Sequence, residues 1–164
     1  MNRITLCAAL AAASLALPAN AQDQAQDRTD DAAWHNQQQA ALFAPIGVEG
    51  WYLLDGGVWF RRTGGDGTGP APTVRDVVSV NYTGSFADGS TFDSNEGRDP
   101  VTFPLGRLVP GWQIAIPYMG VGDTAEIIVP AELGYGPRGA GPIPGGATLL
   151  FTIELLDIMA APGR

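Results

Sequence analysis

Apolar and polar positions alternate most regularly over residues 78–94 (VSVNYTGSFADGSTFDS), where Val78, Val80 and Tyr82 fall on one side of a period-two pattern. That period puts successive side chains on opposite faces, so it predicts a half-buried strand. Asp88-Gly89 separates this segment from a second short one, and Asp-Gly between two such runs marks a hairpin turn. The second arm brings Phe92 and Asp93, a ring beside a carboxylate, back toward Tyr82. Two more segments keep the same period. Thr124–Val129 sets Ala125, Ile127 and Val129 against Thr124, Glu126 and Ile128, and Pro130 stops it. Residues 147–158 form the longest strand, with Leu149, Phe151, Ile153 and Leu155 on one side. Upstream, residues 58–62 read as a strand after the Gly56-Gly57 break, and residues 51–54 as an added edge or cover.

Within this strand-rich region a single stretch has helical spacing. Pro110 suits a first helical turn, and Trp112 with Ala115, then Ile116 with Met119, lie three apart on one side. Pro117 removes an internal hydrogen bond and should tighten or bend the last turn, and Gly120 and Gly122 end it. Several antiparallel strands and one short helix predict an α+β domain, with the sheet curled around the helix. The domain is expected to span residues 46–164, with its core at about 67–158, and to fold without the residues before it. Residues 22–45 form a polar extension rich in alanine and glutamine. There Asp30 or Asp31 could cap a helix over residues 32–44, with Trp34, Ala41 and Leu42 roughly on one side and Pro45 as its stop. A tether, or a strap lying on the domain, is the expected role.

The first 21 residues have another pattern. A positive start at Arg3, an apolar run over 4–17 and Ala19-Asn20-Ala21 make up a secretory signal peptide, too short to span a bilayer. Cys7, the only cysteine, lies inside it. Processing would therefore leave no thiol for a disulfide or for redox chemistry. The nine basic residues are all arginine, and the net charge of −8 makes nucleic acid and anionic membranes poor partners.

The common catalytic sets are missing. There is no Gly-x-Ser-x-Gly elbow, and the sole histidine, His35, lies in the extension, so no Ser-His or Cys-His nucleophile can be built in the domain. Asp88, Asp93, Glu96 and Asp99 lack the spacing of a calcium loop. The glycine-rich GDGTG at 65–69 precedes a strand where a nucleotide loop needs a helix, so it reads as a turn. No metal and no cofactor is expected. What remains is a set of rings and aliphatic groups with a few polar tips: Tyr82, Phe92, Asp93, Arg98, Phe103, Val109-Pro110-Gly111-Trp112, Tyr135-Gly136, and residues 147–151.

In kind, order and approximate spacing, that series resembles the FKBP-type peptidyl-prolyl isomerases, the tacrolimus-binding immunophilins, over residues 67–158. The resemblance implies a pocket with Trp112 as its floor and Tyr82, Phe92, Val109, Ile143 and Phe151 as walls. Tyr135 would donate a hydrogen bond to a substrate carbonyl, and Asp93 would sit at the rim, held by Tyr82 and Arg98. Proline-containing polypeptides are the implied clients and tacrolimus-like macrolides the implied ligands of an exported enzyme, periplasmic or secreted, and the short extension makes a monomer the expectation. The chain departs from the family pattern at Pro142, Gly145 and Gly146 in the loop after Tyr135, and at Ile114 and Pro117 in the helix. A non-catalytic peptide-binding or chaperone module would use the same pocket. The rim groups favour the enzyme, since a pure binder need not keep them.

Overall fold

The structure is a computed structural model that describes residues 32–160. The expected signal peptide, Cys7 and the capping residues Asp30 and Asp31 lie outside the described residues. Helix α1 (Ala32–Phe43) is followed by β1 (Tyr52–Leu53), β2 (Trp59–Gly64), β3 (Val77–Phe86), β4 (Thr91–Ser94) and β5 (Val101–Pro104). Helix α2 (Pro110–Ala115), β6 (Thr124–Val129) and β7 (Leu149–Met159) complete the order. The strands form one antiparallel sheet in the order β1-β2-β6-β7-β3-β4, with β5 paired to β3 beside β4. The longest ladder joins β3 to β7, from Val77 opposite Met159 to Phe86 opposite Leu149.

The sequence pattern explains which face is buried. Val78, Val80, Tyr82, Gly84 and Phe86 of β3 point inward, and their neighbours are half-buried. Leu149, Phe151, Ile153 and Leu155 of β7 do the same across the ladder. Against them lies α2, whose Trp112 and Ala115, with Ile116 and Met119 just beyond, join the same core. Pro110 opens this helix, and Pro117 has the expected effect. The α-helix ends at Ala115 and passes into a 3₁₀ turn over Ile116–Tyr118, because a ring without an N–H cannot continue the i→i−4 ladder.

The glycine-rich turn after β2 is organised by one buried carboxylate. Asp123 accepts hydrogen bonds from the Gly67 N–H at 3.0 Å, the Gly120 N–H at 2.8 Å and Arg62 Nε at 2.8 Å. Gly69 lies so close to the Val121 backbone that a Cβ there would meet its carbonyl oxygen at 2.3 Å. This loop is a structural turn, consistent with the expectation from sequence.

The extension lies on the domain: α1 packs against β6 and puts Trp34 into the domain core. Gln38, one turn on from Trp34, is also buried. It accepts the Thr148 N–H at 2.9 Å through Oε1, and its main-chain oxygen accepts the Thr148 hydroxyl at 3.1 Å. Trp59 Nε1 donates to the Leu42 carbonyl at 2.8 Å. A polar composition hid this docking, since the face that binds consists of one ring, one amide and backbone carbonyls.

Candidate functional site

The site is built where the β3–β4 hairpin, α2 and the start of β7 converge. The Phe86 N–H donates to the Ser90 carbonyl at 2.9 Å and the Phe86 carbonyl accepts the Gly89 N–H at 2.9 Å, which closes the hairpin with Gly89 at φ 83° in the left-handed region that Asp-Gly turns use. This register carries Phe92 and Asp93 back beside β3, with Gly84 opposite Asp93. Gly84 has a steric reason to be glycine: a Cβ there would meet the Phe92 ring at 2.6 Å and the Phe151 ring at 2.9 Å. Its absence lets two rings close over the strand.

The rings pack edge to face around Trp112, which is only 1% exposed. Tyr82 and Trp112 have centroids 5.5 Å apart at 78°, and Trp112 and Phe151 5.3 Å apart at 89°. Phe151 meets Phe92 at 5.7 Å and 88°, and Phe92 meets Phe86 at 5.0 Å. The three T-shaped contacts, those of Trp112 with Tyr82 and Phe151 and of Phe151 with Phe92, put the positive edge of one ring against the negative face of the next and add about 0.5–1.5 kcal/mol each beyond area burial. Val109 is buried at the start of α2, where its carbonyl accepts the Trp112 N–H at 3.0 Å. Ile143 is buried in the same cluster, and Tyr135 packs against it half-buried. Trp112 Nε1 is a buried donor with no hydrogen-bond partner.

Polar chemistry is confined to the rim. The Tyr82 hydroxyl donates to Asp93 Oδ2 at 2.7 Å, so the expected pair is present. Arg98 is the residue the structure does not bring in. It is exposed, and the ion pairs of the described residues are Arg61 with Glu126 and Arg62 with Asp123. The loop after β4 instead turns Asn95 inward to hold the Tyr82 backbone, a residue that the sequence reading missed. Asn95 is buried: its Oδ1 accepts the Tyr82 N–H at 2.7 Å, and its Nδ2 donates to the carbonyls of Val80 and Asp99. The signal available was an Asn directly after a short strand and two residues before a Gly, a position suited to side-chain-to-backbone bonding. Phe86 was missed too, although its alternation with Tyr82 and Gly84 placed it on the buried side.

Among the described residues no cluster of three His, Cys, Asp or Glu could hold a metal ion. The arrangement offers a dry, ring-lined surface with hydrogen-bonding groups at its edge, suited to binding an apolar ring and a neighbouring amide.

An antiparallel sheet wrapped on one short helix, with such an aromatic site at their junction, defines a class of small α+β domains. The sequence profile of the FKBP-type peptidyl-prolyl cis-trans isomerases matches residues 69–156. The chain belongs to that family. It is 46% identical over 93 residues to the FKBP-type peptidyl-prolyl cis-trans isomerase FkpA of Aeromonas hydrophila, an alignment covering 56% of this chain and 35% of that protein. It is 45% identical over 97 residues to the outer membrane protein MIP of Legionella longbeachae, covering 58% of this chain and 42% of that one. The crystal structure of FkpA from Escherichia coli superposes with a TM-score of 0.74 at 30% identity, over 88% of this chain and 65% of that one. The chain thus spans between a third and a half of the length of these two sequence relatives.

Proposed function

We propose that this protein is a peptidyl-prolyl cis-trans isomerase that accelerates rotation about X-Pro bonds in exported polypeptides. The observation that carries this reading is the edge-to-face ring cluster on the buried Trp112, with the Tyr82–Asp93 hydrogen bond at its rim. Trp112 is the floor beneath the proline ring, and Tyr82, Phe92, Val109, Ile143 and Phe151 are the walls. Tyr135 donates to a substrate carbonyl, and Asp93 faces the rotating amide.

No bond is made or broken and no proton moves. Rotation faces a barrier of ~18–20 kcal/mol because the planar amide has partial double-bond character, and it takes roughly 10–100 s unaided at 25 °C. The planar amide is the more polar form, and water stabilises it. A site of rings withholds that stabilisation while it grips the proline, so the twisted transition state is bound better than the ground state. Each ~1.4 kcal/mol of difference is about tenfold in rate.

The wall has no charged group among its members, so peptides with an apolar residue before proline are the preferred substrates. Tacrolimus-like macrolides are the expected competitive ligands, since they present a ring and carbonyls to the same surface. The pattern at residues 1–21 supports export to the periplasm or beyond, and a relative named an outer membrane protein agrees with an envelope setting. The protein acts as a monomer.

A protease-coupled assay on short Xaa-Pro peptides, with and without tacrolimus, tests the reading. Acceleration that tacrolimus suppresses is expected. Tight peptide binding without acceleration would replace the enzyme by a peptide-binding or chaperone module.

A further inference from the structure

The loop over residues 135–147 carries Tyr135 and Ile143, two members of the site, yet it lies between strands and contributes only a lone bridge, Ala140 with Ile143. Its neck is narrow. The Gly146 N–H donates to the Gly136 carbonyl at 3.0 Å, and the Gly136 N–H to the Ala131 carbonyl at 2.7 Å. Inside the loop Gly145 is pressed onto the Pro137 carbonyl, where a Cβ would sit at 2.1 Å. Two residues past the neck is Thr148, just outside the ladder that β7 begins at Leu149. Thr148 is buried, and it is held from outside the sheet by Gln38 of α1.

We propose that Gln38 is a positioning residue for the site, an inference that rests on the isomerase reading above. It grips Thr148 twice, by side chain and by main chain, across a separation of 110 residues. Its own amide is oriented by the bond from Nε2 to the Trp34 carbonyl at 3.3 Å. Trp34 in the core and the Trp59–Leu42 bond fix where α1 lies, independently of Thr148. The clamp therefore pins one point of the chain, between Ile143 on the loop and Phe151 on β7, against a fixed helix. Without it the neck can shift, and Tyr135 and Ile143 keep their place beside Trp112 for only part of the time. When the competent arrangement is fractionally populated, apparent affinity falls by that fraction. Loss of the clamp should thus raise KM and leave kcat nearly unchanged.

The test uses the full chain with Gln38→Met, which keeps length and removes both polar atoms of the side chain, and the pair Thr148→Val and Thr148→Ser. Amide hydrogen exchange is followed at Gly146, Thr148 and Ile143, with Val80 in the centre of β3 as the reference. In Gln38→Met we expect at least tenfold faster exchange at the loop positions and no change at Val80, with KM raised three- to tenfold and kcat within twofold. Thr148→Val should move the same readouts in the same direction, and Thr148→Ser, which keeps the hydroxyl, should match the wild type. Should Gln38→Met fail to fold, the Thr148 pair decides. Loop exchange unchanged in a folded variant, or accelerated equally at Val80, would overturn the proposal and reduce Gln38 to general stability. A wild-type chain without isomerase activity would refute the isomerase reading, and the exchange pattern would still decide the clamp.

Discussion

Two regions of this domain solve opposite problems with opposite materials. At the site, Tyr82, Phe92, Trp112 and Phe151 exclude water with rings and leave even the Trp112 indole N–H without a partner. At the turn after β2, a single carboxylate does the holding: Asp123 is buried and surrounded by donors from Gly67, Gly120 and Arg62. The charged device needs every partner, because a buried carboxylate without donors is severely destabilising. The apolar device needs shape and a lack of competing polarity. The contrast shows why the charged cluster is structural and the uncharged one chemical: the proposed reaction is speeded by withholding polarity from an amide.

The largest effect should come from removing the floor. Trp112→Ala deletes a fully buried ring contacted by Tyr82 and Phe151, and substitutions of this type cost about 3–5 kcal/mol of stability. Urea unfolding should show that loss, and the residual folded protein should have little activity. Next is the other device. Asp123→Asn should destabilise by about 1.5–3 kcal/mol for each charge-assisted bond it loses, while kcat/KM of the folded protein stays near wild type. If activity fell with it, the separation of the two regions would be wrong.

Asp123 also makes an acid prediction. Burial of its carboxyl pushes the pKa up, but the N–H groups of Gly120 and Gly67 and the Arg62 guanidinium outweigh this and hold it below the ordinary value of 3.8. A depressed folded pKa means that the unfolded chain takes up the proton first as pH falls. The stabilisation from Asp123 is therefore complete above the ordinary value and is lost as pH drops through the lower folded one. The stability measured by urea unfolding should fall less steeply across that acidic interval for Asp123→Asn than for the wild type.

Smaller effects belong to the rim. Tyr135→Phe removes one neutral hydrogen bond, about 0.5–1.5 kcal/mol, and should lower kcat/KM by roughly two- to tenfold. Arg98→Ala should change it by less than about twofold, because the exposed guanidinium makes no ion pair with Asp93. A tenfold loss there would restore to Arg98 the role expected from the resemblance.

These rim residues also mark how far the sequence could be read. The hairpin, α2, β6 and β7 were legible because each has its own short-range period, and the ring set was legible through its resemblance, in kind, order and spacing, to the FKBP-type isomerases. Partnerships of polar groups were not. Arg98 and Asn95 lie three residues apart in one loop, and which of them turns inward depends on the path of that loop. Gln38 was invisible for a related reason: its value lies in Thr148, and nothing local to residues 32–43 announces a partner so far along the chain.

If catalysis rests on desolvation and shape, no group changes protonation during turnover, and kcat/KM should be insensitive to pH. Histidine is the side chain whose ordinary titration falls between about pH 5 and 8, and the only one, His35, lies on α1 outside the ring cluster. The profile should be nearly flat from about pH 5.5 to 8.5 in the wild type and in His35→Ala alike. A bell or a clear inflection near neutrality that persists in His35→Ala would mean general acid–base catalysis and would contradict the account.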